Sequence, residues 1–100
     1  MGEMYIKTLA EFEGLKAGDK PLIVDFTASW CPPCKRIAPI YERLAGENPD
    51  IVFKKVDVDE ASEVAQANGI ACMPTFKLFK GGAEVESAKI EGASEEKINQ

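Results

Sequence analysis

The segment KPLIVDFT, residues 20–27, constrains the fold more than any other part of the chain. Leu22, Ile23, Val24 and Phe26 form a nearly continuous apolar run. A strand with one wet face alternates apolar and polar residues, so a run without alternation marks a strand buried on both faces. Layers must then cover both sides of the sheet that holds it. One carboxylate, Asp25, interrupts the run at a place where a buried charge is expensive. The segment passes directly into TASWCPPCKRIAPIYERL, residues 27–44. There Ile37, Ile40, Tyr41 and Leu44 fall at spacings of 3, 4 and 7 from the first, the period of an amphipathic helix.

The rest of the chain alternates in the same way. MYIK is a short strand candidate. Residues 8–18 read as a helix capped by Thr8, with Glu11 three residues on, and stopped by Gly18. IVFKKVDV, residues 51–58, is β-rich, and EASEVAQANG reads as a helix ending at Asn68-Gly69. PTFKLFK, the turn Gly81-Gly82 and AEVESAKIEG read as a hairpin whose last strand carries charge on both faces, as a protected edge does. A final helix opens at Ser94. The order is β-α-β-α-β-α-β-β-α. The strand–helix–strand crossover from Leu22 to Val58 implies parallel, right-handed pairing, and the hairpin adds antiparallel strands. The expectation is an α/β fold over a single domain, residues 1–100, with a central mixed sheet and helices on both faces.

Composition excludes several function classes. No apolar run approaches a membrane span. The first residues lack the basic-then-apolar order of a secretory signal, and Ile6 stands where a myristoylation pattern wants Ser or Thr. Net charge is −5 with Lys and Arg scattered, which disfavours nucleic acid, a ligand that needs clustered cations.

Three cysteines remain: Cys31, Cys34 and Cys72. An odd count argues against a closed disulfide framework. In a reducing compartment a disulfide is usually transient and catalytic. Zinc needs two ligands beyond a Cys-x-x-Cys, yet only Cys72 is left and the chain has no histidine. A permanent clamp is also poor, because so short a loop removes little unfolded-state entropy. Redox chemistry fits the local sequence. Cys31 falls at the helix N-cap and Pro32 at the first helical position, where proline's missing N–H is no loss. The N–H groups of Cys34 and Lys35 are expected to point toward the Cys31 sulfur and, with the helix dipole, to favour a thiolate. Cys34 lies one turn on, deeper and less exposed. Cys31 therefore attacks a substrate disulfide, and Cys34 resolves the mixed disulfide by attacking Cys31.

VDFTASWCPPCKRIAPI, residues 24–40, resembles the active-site segment of the thioredoxin family, and CMPTFKLFKGG, residues 72–82, resembles that family's cis-proline segment. The resemblance covers the whole chain in order and spacing. Its FTASW lead-in is most similar to cytosolic eukaryotic thioredoxins, including the plant h-type group, which implies a cytoplasmic protein. Pro32 stands where the commonest family motif has Gly, a version similar to that of tryparedoxins and nucleoredoxins. Family members usually finish with a longer helix than SEEKINQ, so the expectation is either a shortened chain or a short last helix. The resemblance implies the thioredoxin fold and a protein-disulfide reductase that binds no cofactor. Electrons would come from NADPH through a flavin-containing thioredoxin reductase. The partners implied are protein disulfides, with neither nucleic acid nor membrane, and the chain would be mostly monomeric. Two other readings use the same fold: a redox-gated interaction module, and a tryparedoxin-like or nucleoredoxin-like electron carrier.

The supporting residues have a plain reading and a family reading. Asp25 is either a solvated residue at a strand end or, by resemblance, the buried acid that exchanges a proton with Cys34. Lys55 is either a surface lysine or the cation near that acid, opposing a rise in its pKa. Pro74 could simply open a strand. The resemblance implies a cis Met73–Pro74 bond that presents the Met73 backbone to an extended substrate beside Cys31. Trp30, core-like in the plain reading, flanks the thiol on the surface in the family. Gly92 could be a turn residue; in the family it keeps the substrate groove open, with Ala93 beside it. Pro39 should kink its helix, and Asp57 and Asp59 read as solvated or loop-capping carboxylates. Cys72 is either a small buried hydrophobe or an accessible regulatory thiol bordering the groove, able to link two chains on oxidation.

Overall fold

A computed structural model describes residues 4–92. The elements run α1 (Leu9–Lys16), β1 (Leu22–Thr27), α2 (Pro32–Glu47), β2 (Val52–Asp57), α3 (Ser62–Ala67), β3 (Thr75–Lys80), β4 (Ala83–Glu84) and β5 (Ile90–Glu91). The strands form one mixed sheet in the order β2-β1-β3-β4, with β5 also paired to β3. β1 and β2 are parallel, from Leu22 opposite Val52 to Thr27 opposite Asp57. β3 runs antiparallel to β1, β4 and β5.

The central strand is covered on both faces, as its apolar run requires. Leu22, Val24 and Phe26 are fully buried in a cluster with Phe12 of α1, Val64 of α3 and Phe79 of β3. Ile23 packs on the other face against Ile37 and Tyr41 of α2 and Phe76 of β3. The Tyr41 hydroxyl donates to the carbonyls of Ile23 and Lys54, at 3.0 and 2.7 Å, and so ties α2 to two adjacent strands. Helix α2 runs through Pro39 as one sixteen-residue element. Among the described residues, no helix is long and apolar enough to cross a membrane.

Four local expectations change. MYIK contributes one parallel bridge, Tyr5 opposite Lys55, with Ile6 N–H donating to Lys55 O at 2.8 Å. The chain must turn at once into the Thr8 cap, which leaves no room for a longer strand. Thr8 Oγ1 accepts from Glu11 N–H at 3.1 Å, but Glu11 reaches back to Lys7 N–H rather than to Thr8. Helix α1 stops at Ala17, still right-handed, with no left-handed conformation at Gly18. The strand expected in AEVESAKIEG is broken into β4, a 3-10 turn at Glu86–Ala88, and β5. Its charged residues supply no apolar face to hold a continuous ladder. The hairpin turn itself holds: Gly81 and Gly82 take φ of 63° and 84°, which a two-residue turn between twisted strands needs. Ala93 and the helix expected from Ser94 lie outside the described residues.

Candidate active site

The end of β1 and the start of α2 build the centre. Cys31 is the N-cap of α2, with extended backbone, and Pro32 and Pro33 occupy the first two helical positions. Proline suits them because neither N–H would have an intrahelical partner. Cys34 N–H donates to Cys31 Sγ at 3.3 Å, as expected. The Lys35 N–H does not join it; it closes the first helical turn on Cys31 O at 3.2 Å. One backbone donor and the helix dipole, rather than two donors, therefore act on the sulfur. Cys31 and Cys34 form a disulfide across a Cα–Cα distance of 5.3 Å. The two are equally buried, 4% and 3% exposed, so the expected difference in exposure is absent. Their surroundings differ instead.

Cys31 faces the β3 loop. The Met73–Pro74 bond is cis, and the Met73 carbonyl oxygen lies 3.8 Å from Cys31 Sγ. Gly92 N–H donates to Pro74 O at 2.9 Å, so β5 is tied to the same loop. Gly92 has φ of 98°, a conformation side chains disfavour, and a Cβ built there meets nothing within 4 Å. Trp30 is 61% exposed beside the disulfide. Its indole N–H donates to Asp59 Oδ2 at 2.7 Å, so Asp59 orients the ring rather than capping a loop. Asp57 does cap, accepting from the N–H groups of Asp59 and Glu60. Cys72 is exposed, with its carbonyl held by the Thr75 hydroxyl at 2.7 Å.

Cys34 faces the other way, into a cavity of about 420 Å³ lined by residues that include Asp25, Lys55 and Tyr5. Asp25 is 1% exposed, and among the described residues its Oδ1 has no hydrogen-bond partner. Burial pushes its carboxyl from an ordinary 3.8 up to about 7, against the opposing pull of the Lys55 ammonium. Lys55 stands opposite Asp25 in the β1–β2 register and is 6% exposed. Its ammonium is not given to Asp25 alone. It contacts Glu42 Oε2 of α2 at 2.7 Å and lies 5.7 Å from the centre of the Tyr5 ring. Sequence reasoning missed Glu42. Its signal was present, eight residues after Cys34 and thus near the same face of α2.

The chemistry open to such a centre is narrow. Two sulfurs one helical turn apart can share a bond or separate as two thiols, and a carboxyl near neutrality waits behind one of them. That defines a thiol–disulfide oxidoreductase. The Thioredoxin family profile matches residues 3–100, and the chain belongs to the thioredoxin family. It is 54% identical over 93 residues to the thioredoxin of Geodia cydonium, covering 91% of this chain and 87% of that protein. It is 49% identical over 94 residues to thioredoxin-1 of Saccharomyces cerevisiae, covering 94% and 89%. The solved Plasmodium falciparum thioredoxin superposes with a TM-score of 0.91 at 44% identity, covering 96% of this chain and 92% of that one. The protein reduces protein disulfides by dithiol–disulfide exchange.

Proposed function

We propose a division of labour within that exchange, carried by the opposite surroundings of the two sulfurs. Cys31, as thiolate, attacks one sulfur of a substrate disulfide; a mixed disulfide forms and the first substrate thiolate leaves. Cys34 passes its proton to Asp25 and attacks Cys31 Sγ. The second substrate thiolate leaves and the Cys31–Cys34 disulfide closes. Two electrons have moved from this chain to the substrate. They are restored from NADPH through a flavin-containing thioredoxin reductase. The Met73 carbonyl beside Cys31 supports pairing with an extended substrate segment, with Trp30, Pro74 and Gly92 shaping the groove. The setting is cytoplasmic, a reading supported by the FTASW lead-in.

The roles are tested by trapping. Cys34→Ser should hold stable mixed disulfides with targets, and Cys31→Ser should hold few. Equal trapping by both variants would sink the assignment. Cys72, exposed at the edge of the same groove, is read as a regulatory thiol that links two chains under mild oxidation. Non-reducing electrophoresis should show a reversible dimer that Cys72→Ser does not form; dimers persisting in that variant would assign the bridge elsewhere.

A further inference from the structure

We propose that Glu42 is a positioning residue for the exchange reaction: by holding the Lys55 ammonium, it sets how much of that cation's charge acts on Asp25. The proposal rests on the reading of Asp25 as the proton acceptor for Cys34.

Three ionisable groups from two layers are involved. Lys55 is the register partner of Asp25 on β1, acts on it electrostatically, and contacts Glu42 of α2. Only Glu42 makes the close contact, at 2.7 Å. An isolated ammonium acts on a neighbouring carboxyl as a full charge. An ammonium already paired acts as a dipole, whose field falls off faster with distance. Pairing to Glu42 therefore weakens the pull of Lys55 on Asp25. Asp25 Oδ1, with no partner of its own among the described residues, is left to the desolvation that raises it. An acid near neutrality is the kind that can take a thiol proton efficiently at neutral pH.

No other described group around Asp25 replaces this control. From α2, Cys34 and Lys35 line the cavity, and the Tyr41 hydroxyl is committed to the Ile23 and Lys54 carbonyls. From β2, Asp57 lines the cavity but its Oδ1 serves the N–H groups of Asp59 and Glu60. From the N-terminal segment, Tyr5 presents its ring to Lys55. From β3, Phe76 stands opposite Asp25 in the register. Helix α2 thus carries both the resolving thiol and, two turns on, the carboxylate that adjusts its proton acceptor.

The test is the titration of the Asp25 carboxyl by carbon-13 NMR in the full chain with its disulfide closed, so that thiol titration does not intrude. Glu42→Gln keeps size and reach but removes the charge. It should lower the Asp25 midpoint by about one pH unit, the scale of an opposite charge brought into play nearby. Glu42→Asp should leave it closer to wild type. Lys55→Gln should raise it, and adding Glu42→Gln to that variant should change nothing more. In the reduced protein, the pH profile for release of a mixed disulfide should shift downward with Glu42→Gln. An unmoved Asp25 midpoint in Glu42→Gln overturns the proposal. So does an equal shift in the Lys55→Gln background, which would mean Glu42 acts on Asp25 directly. A midpoint that moves while the release profile stays put overturns instead the role of Asp25 on which the proposal rests.

Discussion

Lys55 and Lys77 are both buried cations, 6% and 8% exposed, on opposite faces of the same sheet. Lys55 on β2 points toward α2 and contacts Glu42. Lys77 on β3 stands opposite Val24, on the face covered by α1 and α3. Its ammonium donates to Asn68 O at 2.6 Å and contacts Glu84 Oε1 at 3.2 Å. Each is thus satisfied by a partly exposed glutamate at one side. The difference lies in the third group. Beside Lys55 stands a carboxyl pushed by burial up to about 7; beside Lys77 stands the carbonyl of Asn68, the C-cap of α3, which does not titrate. A buried ion pair by itself is weak evidence for either stability or function. Here the neighbour decides: one lysine opposes the upward shift of a buried carboxyl, and the other fastens the end of α3 to the hairpin.

Asp25→Asn should break the contrast most strongly. It removes the titrating neighbour, and release of mixed disulfides at neutral pH should slow by roughly 100-fold. The fold should gain at the same time. Because the folded pKa is raised, the carboxyl's relative stabilisation is complete below its unfolded value near 3.8 and is lost as pH rises through about 7. The variant should therefore match wild type at pH 3 and exceed it increasingly up to about pH 8. The limit is about 4 kcal/mol, the free-energy equivalent of that rise in pKa. Denaturant melts across pH check this; a stability difference independent of pH would mean that Asp25 is not a buried, shifted carboxyl.

Lys77→Met sharpens the contrast from the other face. Loss of the charge-assisted bond to Asn68 O should cost about 2 kcal/mol in a denaturant melt. The pH profile of exchange should stay where it is. A moved profile would show that the two faces of the sheet are coupled and that the comparison fails. Glu84→Gln should do least, below about 1 kcal/mol by the same melt, because its carboxylate is partly solvated. A larger loss would show that Lys77 depends on Glu84 more than on the Asn68 carbonyl.

The elements legible in the sequence were those whose cause is local. The apolar run of β1, the cysteine N-cap with prolines behind it, the Asn68-Gly69 stop and the Gly81-Gly82 turn all act through backbone sterics or bonds within four residues. The cis bond before Pro74 was carried by family resemblance instead. Where local reasoning gave out, chain partners were distant. AEVESAKIEG reads as one strand, but a 3-10 turn at Glu86–Ala88 splits it into β4 and β5, each paired separately with β3. Trp30 is held by Asp59, twenty-nine positions away, and Lys55 by Glu42, thirteen away.

By itself, then, the sequence determined that a doubly buried strand ends in a helix whose N-cap is Cys31, with Cys34 one turn behind. Covalent spacing and the helix period leave little other choice. Only the tertiary structure decided that the two sulfurs are equally buried and that their surroundings, not their depth, tell them apart. It alone decided that Lys55 is shared between Asp25 and Glu42. Coulomb interaction and desolvation depend on distance through space and on what displaces water, and neither is a property of neighbours along the chain.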